Sequence, residues 1–314
     1  MIKLGIIMDP ISSINIKKDT SFAILLEAQR CDFKIYYMEI NDLSLRGNVV
    51  YAHTYRLYVE KNDNKWYEFY NEQEIKLVEL DIILIRKDPP FNTKFLYITY
   101  LLEYAEQKGT LIINKPQSLR DCNEKIFTTW FPELIPDMLV TCNQREIHAF
   151  WQKYGDIIVK PLDGMGGKSI FRIKEDDQNF GVITETLTNY GQSFCIVQNY
   201  LPAIKEGDKR ILIIDGKPVP YCLVRIPQEG ETRANLAVGG YGEARALSDK
   251  DWEIALRVAP ILKSKGLIFV GLDIIGDKLT EINITSPTCI CEIEATFPIS
   301  ISGILIDAIK NLLR

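Results

Sequence analysis

Short apolar runs separated by helix-period segments fill the first third of the chain, and that alternation narrows the possible folds more than any other feature. Runs at 3–8, 34–38, 82–86 and 110–113 have the length and branched-residue content of buried strands, while 20–31 and 95–108 carry apolar residues at helical spacing between them. Strands that alternate with helices pair in parallel, because each helix must carry the chain back across the sheet before the next strand starts. A mostly parallel α/β sheet is therefore expected. The stretch 49–60 alternates differently and reads as a hairpin inserted in that unit.

After Asn114 the punctuation changes: Lys115-Pro116, then an expected helix at 123–130, then Pro132 and Pro136 as breakers. Further strands are expected at 157–160, 170–173, 194–199, 209–214 and 217–223, with helices at 143–154 and 179–189. Asp215-Gly216 is two-residue turn chemistry and marks a hairpin. A helix at 248–265, strands at 269–275 and 278–284, and a helix at 299–313 complete the pattern. The expected organisation is α/β, turning α+β after the first unit: a Rossmann-like domain at 1–122, a central subdomain at 123–200 and a C-terminal subdomain at 201–314. A length of 314 residues suits two or three such units.

Composition excludes several classes. A formal charge of −5 removes the broad attraction on which non-specific nucleic-acid binders and membrane-surface proteins rely, so neither partner is expected. No apolar run approaches the roughly 18 residues of a membrane span, and the first residues lack the regions of a secretory signal. Seven scattered cysteines are not a disulfide framework, and two histidines leave His-rich zinc sites and most Ser-His-Asp schemes short of parts. A cytoplasmic location is the expectation.

The segment 157–169 is a strand followed by a loop with Gly164, Met165, Gly166 and Gly167. Glycines at this density let backbone N–H groups converge on an anion, although a ligand-free hairpin between Val159 and Ile170 also accounts for them. Neither a Walker loop nor a dinucleotide fingerprint fits, since Leu162 and Ser169 stand where glycines are needed. Lys125 and Lys160 could reach a polyphosphate, and Lys160 ends an apolar strand, a costly place for an unpaired charge. Further on, Gln198-Asn199-Tyr200-Leu201-Pro202 could offer backbone groups to a purine edge, with an acidic residue nearby for ribose hydroxyls; a plain strand end explains it about as well.

The stretch 269–288 reads as a hairpin turning at Gly276-Asp277, which brings Asp273 beside Glu281 and puts Glu281 and Asn283 on one face. Hard oxygen donors of this kind suit Mg²⁺, which takes one or two carboxylates and completes its shell with substrate phosphate and water. Their role is read as holding metal rather than packing. Arg210, Arg225 and Arg233 add fork-shaped cations suited to carboxylates, phosphates and transition-state charge, and the glycine-bearing segment 226–242 has the length of a lid.

Taken in order, Asn-Lys-Pro at 114–116, Lys125, Lys-Pro-Leu-Asp-Gly-Met-Gly-Gly at 160–167, Gln-Asn-Tyr-Leu-Pro, Gly-Asp-Lys-Arg at 207–210, and Gly-Leu-Asp-Ile-Ile-Gly running on to Glu-Ile-Asn-Ile-Thr-Ser-Pro-Thr resemble the prokaryotic glutathione synthetases. Met-Asp-Pro at 8–10 and Arg-Lys-Asp-Pro-Pro at 86–90 fit as well, so the resemblance spans the chain. It implies an ATP-grasp ligase in which ATP, with Mg²⁺ or Mn²⁺, phosphorylates the cysteinyl carboxylate of γ-glutamylcysteine and glycine then displaces phosphate. By this resemblance Asn199, Tyr200 and Leu201 meet adenine and Asp208 the ribose. Arg210, Arg225 and Arg233 act on substrate carboxylate and acyl phosphate, and Arg86, Asn283, Ser286 and Thr288 join them in binding substrate. A homotetramer is implied too. Two positions depart from the family pattern: Cys291 replaces a usual arginine, and Lys168 replaces a small residue. Rival readings are a related ligase for another amino acid or peptide, and a non-catalytic ATP-binding protein of the synapsin kind.

Overall fold

In the computed structural model, which describes residues 1–231, 233–236 and 239–314, the N-terminal third builds one seven-stranded sheet. Its elements are β1 (Lys3–Met8), α1 (Thr20–Arg30), β2 (Lys34–Met38), β3 (Leu43–Arg46), β4 (Val49–Val59), β5 (Tyr67–Lys76), β6 (Ile82–Arg86), α2 (Thr93–Glu106) and β7 (Leu111–Ile113). Strand order is β3-β4-β2-β1-β6-β7, with β5 also on β4; β1 runs parallel to β2 and β6, and β6 parallel to β7. The helices start where the side chains of Asp19 and Asn92 accept the N–H groups of Phe22 and Phe95. The expected hairpin at 49–60 is instead the single strand β4, held antiparallel between β3 and β5. Nothing inside 49–59 can turn the chain; the turn residues Gly47-Asn48 and Asn62-Asp63-Asn64 lie outside it.

The short helix α3 (Pro116–Asp121) leads to a 3-10 turn at Ile126–Trp130, where a helix over 123–130 was expected. Asn123 is the cause: its Oδ1 accepts from the N–H groups of Lys125 and Ile126, a local turn that competes with helix. Next come β8 (Met138–Thr141), α4 (Gln144–Tyr154), β9 (Ile157–Pro161), β10 (Phe171–Ile173), α5 (Phe180–Leu187) and β11 (Cys195–Asn199), an antiparallel sheet ordered β10-β9-β11-β8. A second antiparallel sheet, β14-β13-β12-β15-β16, comprises β12 (Asp208–Ile214), β13 (Lys217–Ile226), β14 (Tyr241–Ala246), β15 (Phe269–Ile275) and β16 (Lys278–Asn283), backed by α6 (Asp249–Ser264) and followed by α7 (Ile290–Glu294) and α8 (Ile301–Leu312). Strand β14 escaped the sequence reading because Tyr-Gly-Glu-Ala-Arg-Ala buries no face.

Three buried clusters underlie these layers. Two mix N-terminal and C-terminal residues: Ile83 and Leu102 share a cluster with Val270 and Ile282, and Leu25 and Leu84 share another with Leu212 and Ile306. The third contains Ile157, Val159, Ile173, Cys195 and Val197 from the four-stranded sheet, with Ile147 of α4 packed on them. Asn114 seals the first and last sheets together. Its Oδ1 accepts from the N–H groups of Ile268 and Phe269, and its Nδ2 donates to the carbonyls of Phe269 and Ile284, at 2.7 to 2.9 Å.

Candidate active site

A cleft of about 860 Å³ opens between the four-stranded and five-stranded sheets. Isoleucines 158, 170, 204 and 275 line it together with the glycine loop, which makes it apolar enough for a heterocycle and anionic-ligand friendly at one end. β9 and β10 do form a hairpin, with Phe171 opposite Val159, and its loop is also a wall of the cleft. Gly166 and Gly167 sit at φ 63° and 78°, a region closed to most side chains. A Cβ on Gly167 would stand 2.6 Å from Asn235 Oδ1.

At the polar end two buried lysines converge. Lys160 Nζ lies 3.3 Å and Lys125 Nζ 3.6 Å from Glu281 Oε1, and Lys125 also donates to the Gly164 carbonyl at 2.8 Å. Burial lowers the Lys160 ammonium, with Glu281 opposing it. Burial also penalises the Glu281 carboxylate, but Lys125 and Lys160 together hold it below its usual range. Glu281 is thus a counter-ion for buried lysines as well as a candidate metal donor, which corrects the reading that it plays no part in packing.

From Glu281 a polar row crosses the sheet. Glu281 pairs with Asp273, Asp273 with Arg210, and Asp208 with Arg225 in the strand register. Arg210 Nε donates to Asp273 Oδ1 at 2.5 Å, while Arg225 Nη2 reaches Asp208 Oδ2 at 2.5 Å and Asp273 Oδ2 at 2.9 Å. Burial works against the Asp273 carboxylate, yet the two guanidiniums hold it far below the usual range. Burial pushes Asp208 upward although Arg225 opposes it, and Asp208 Oδ1 is buried with no partner among the described residues.

A second cleft of about 850 Å³ adjoins the first, lined by Arg210, Arg225, Asn283, Ser286 and Thr288. Beside it a pocket under the N-terminal sheet is lined by Lys18, Asp19, Arg86 and Asp88.

The family model of the prokaryotic glutathione synthetase N-terminal domain matches residues 2–120, and that of the prokaryotic glutathione synthetase ATP-grasp domain matches 124–298. Glutathione synthetase of Salmonella typhimurium is 68% identical over 310 residues, covering 99% of this chain and 98% of that protein. The Escherichia coli K12 protein of the same name is 65% identical over 314 residues, covering 100% and 99%. The chain belongs to the prokaryotic glutathione synthetase family. Solved structures with the same fold include D-cycloserine synthetase DcsG, at TM-score 0.69 and 14% identity with 99% and 100% of the chains covered. D-Alanyl-alanine synthetase A of Vibrio cholerae aligns at TM-score 0.61 and 14% identity, covering 99% and 98%. At those identities the likeness concerns the fold, which is ATP-grasp.

Within this glutathione synthetase fold the predicted residues fall into distinct places. Lys125, Lys160, Gly164, Met165, Gly166, Gly167, Asn199, Tyr200, Leu201 and Asp208 all line the first cleft. Asn199 and Tyr200 have spent their N–H groups on the carbonyls of Asp137 and Asp156, so they face the cleft with other atoms; the Leu201 N–H has no partner among the described residues. Tyr200 stacks its ring on Arg172, 3.6 Å from the guanidinium carbon. Arg86 is buried at the wall of the pocket under the N-terminal sheet: Nε donates to Ser21 Oγ, Nη2 to the Pro287 carbonyl, and Nη1 has no partner among the described residues. Ser286 donates to the Arg86 carbonyl at 3.4 Å, and Thr288 accepts from Arg210 at 3.5 Å.

Arg233 donates to the Gly167 carbonyl at 3.3 Å and pairs with Glu231, so the long loop touches the glycine loop. That loop is shorter than 226–242, because Ile226 pairs with Tyr241 and Arg225 with Gly242 as strand residues. Thr232, Ala237 and Val238, which belong to the expected lid, lie outside the described residues. Lys168 is exposed at the cleft rim, and Cys291 donates to the Asp19 carbonyl. Sequence reasoning missed Gln198, buried in the first cleft with an Nε2 that has no partner among the described residues. It stood inside a quoted motif, and its signal was a polar residue ending an apolar run.

Proposed function

We infer that this chain is an ATP-dependent carboxylate-amine ligase that joins γ-glutamylcysteine to glycine, giving glutathione, ADP and phosphate. The observation that carries the site reading is the pair of buried lysines sharing a single carboxylate at the glycine loop, two cations to one paired anion. The triphosphate of ATP supplies the missing anion: Lys125, Lys160 and the N–H groups of 164–167 bind it, Leu201 N–H and Gln198 read the base, and Asp208 Oδ1 accepts from the ribose.

Glu281 and Asn283 fit a divalent ion, since both are hard oxygen donors on one strand face and Asn283 binds protein only through its Nδ2. Asp273 joins them through oxygens that the arginines already engage. No group of three or more His, Cys, Asp or Glu side chains gathers as a metal site among the described residues, so an ion held here would complete its shell with substrate phosphate and water. The ion would offset the charge that develops on transferred phosphate.

In the second cleft Arg210, Arg225, Ser286 and Thr288 orient the cysteinyl carboxylate toward the γ-phosphorus, and Arg86 anchors the remainder of the dipeptide. Carboxylate oxygen displaces ADP to give the acyl phosphate; the glycine nitrogen, having lost a proton, attacks the carbonyl carbon and phosphate leaves. Arg233, which reaches the glycine loop, shields this intermediate and helps to keep water away. The division at residues 122 and 200 is supported by the three separate sheets. ADP release from MgATP should require γ-glutamylcysteine and run to completion only with glycine. Equal release with D-alanine in place of both substrates would point to another ligase, and no release at all to a binding protein.

A further inference from the structure

Strand β16 carries the candidate metal donors yet is the last strand of its sheet, so its outer edge has no strand to pair with. Glu124 fills that role. Its carbonyl accepts from Ile282 N–H at 2.8 Å, and its Oε1 accepts from Ile284 N–H at 2.8 Å, Thr285 N–H at 3.0 Å and Thr285 Oγ1 at 2.9 Å. These contacts flank Asn283 on both sides and begin at the residue after Glu281, so the strand is clamped where both side chains leave it. The neighbours of Glu124 each hold another part of the site. Asn123 Nδ2 donates to the Leu162 carbonyl at the start of the glycine loop, and Lys125 reaches Gly164 and Glu281. Three consecutive residues thus tie together loop, lysine and metal strand.

We propose that Glu124 is a positioning residue for the metal-nucleotide site: its side-chain oxygen sets the height of β16, and with it the separation of Glu281 and Asn283 from the phosphate loop. What matters is an acceptor at that point in space. The inference rests on the reading of Glu281 and Asn283 as metal donors, and its test separates the two.

Mn²⁺ binding in the presence of ADP, followed by electron paramagnetic resonance, reads the site without turnover. Loss of partners behind metal ligands typically weakens metal affinity about 10- to 100-fold. Glu124→Ala should weaken Mn²⁺ by about that factor and raise KM for MgATP in parallel, while KM for γ-glutamylcysteine stays within about threefold. Glu124→Gln keeps an acceptor at the same reach and should stay close to the parent. Glu124→Asp keeps the charge but retracts it by one methylene, and should be worse than Gln. If Glu124→Ala fails to fold, the Gln and Asp pair still decides, because a purely electrostatic role reverses their order and overturns the proposal. Parental Mn²⁺ affinity in Glu124→Ala, alongside crippled binding in Glu281→Gln, overturns this inference alone. Unchanged binding in Glu281→Gln removes the metal reading and this inference with it.

Discussion

Two buried ion networks sit side by side in the cleft and are built on opposite plans. Lys125 and Lys160 share Glu281, two cations to one carboxylate, whereas Arg210 and Arg225 face Asp208 and Asp273, two to two. On the proposed reading a bound anion completes the lysine group, in which burial works against the Lys160 charge. The arginine group is a closed structural unit, with donors left over at its rim for substrate. Charge stoichiometry therefore separates groups that await a ligand from groups that also hold the sheet together.

Single deletions should break this contrast in opposite directions. Lys160→Met should cut kcat/KM for ATP by about 100-fold or more, because a preorganised cation is lost from the phosphate site. Its ligand-free stability should hold or rise, since a buried charge and its repulsion from Lys125 disappear. Arg225→Met should instead cost about 3–5 kcal/mol in urea denaturation, leaving two buried carboxylates short of a partner. Similar stability losses in both variants would abolish the distinction.

A pH series sharpens it. Glu281 is held below its ordinary value of 4.5 in the folded chain, so its contribution to stability is present above that value and is lost as pH falls through the lowered one. The difference in melting temperature between the parent and Glu281→Gln should be largest above the ordinary value of 4.5 and shrink as pH falls through the lowered one, once position 281 is uncharged in both. A difference independent of pH would mean that the lysines do not depend on the Glu281 charge.

The smallest expected effect concerns the loop over both networks. Trypsin should cut first after Arg233 in the free protein, while buried Arg225 resists, and MgATP with γ-glutamylcysteine should slow the cut more than either ligand alone. Cleavage rates indifferent to ligands would leave Arg233 as a surface residue paired with Glu231.

What the sequence made legible follows from separation along the chain. The hairpin at 269–283 and the glycine loop are local, so period-two alternation and turn residues sufficed to pair Asp273 with Glu281 and to set Lys160 beside the loop. The inserted hairpin was misread for the converse reason: alternation reveals a strand but not how many. Glu124 and Asn114 could not be found this way, because the backbone groups that they satisfy lie about 155 to 170 positions away. Nor could the engagement of Asp273 with both arginines, which needs three strands brought together. Residues singled out by motif kept their places in the cleft, but motif gave no hint of which backbone amides were already spent, as at Asn199 and Tyr200.

The distribution of buried clusters has a mechanical consequence. Cores shared between the first and last sheets, and sealed by Asn114, make those two regions one rigid frame, while the four-stranded sheet keeps a small core of its own. A chain read as three units along its sequence thus packs as two bodies, a heavy anvil and a light jaw. With nucleotide bound as proposed, on the line between them, a swing of the jaw alone would open the way for ADP, and the frame that carries Arg86, Arg210 and Arg225 could stay still through every turnover.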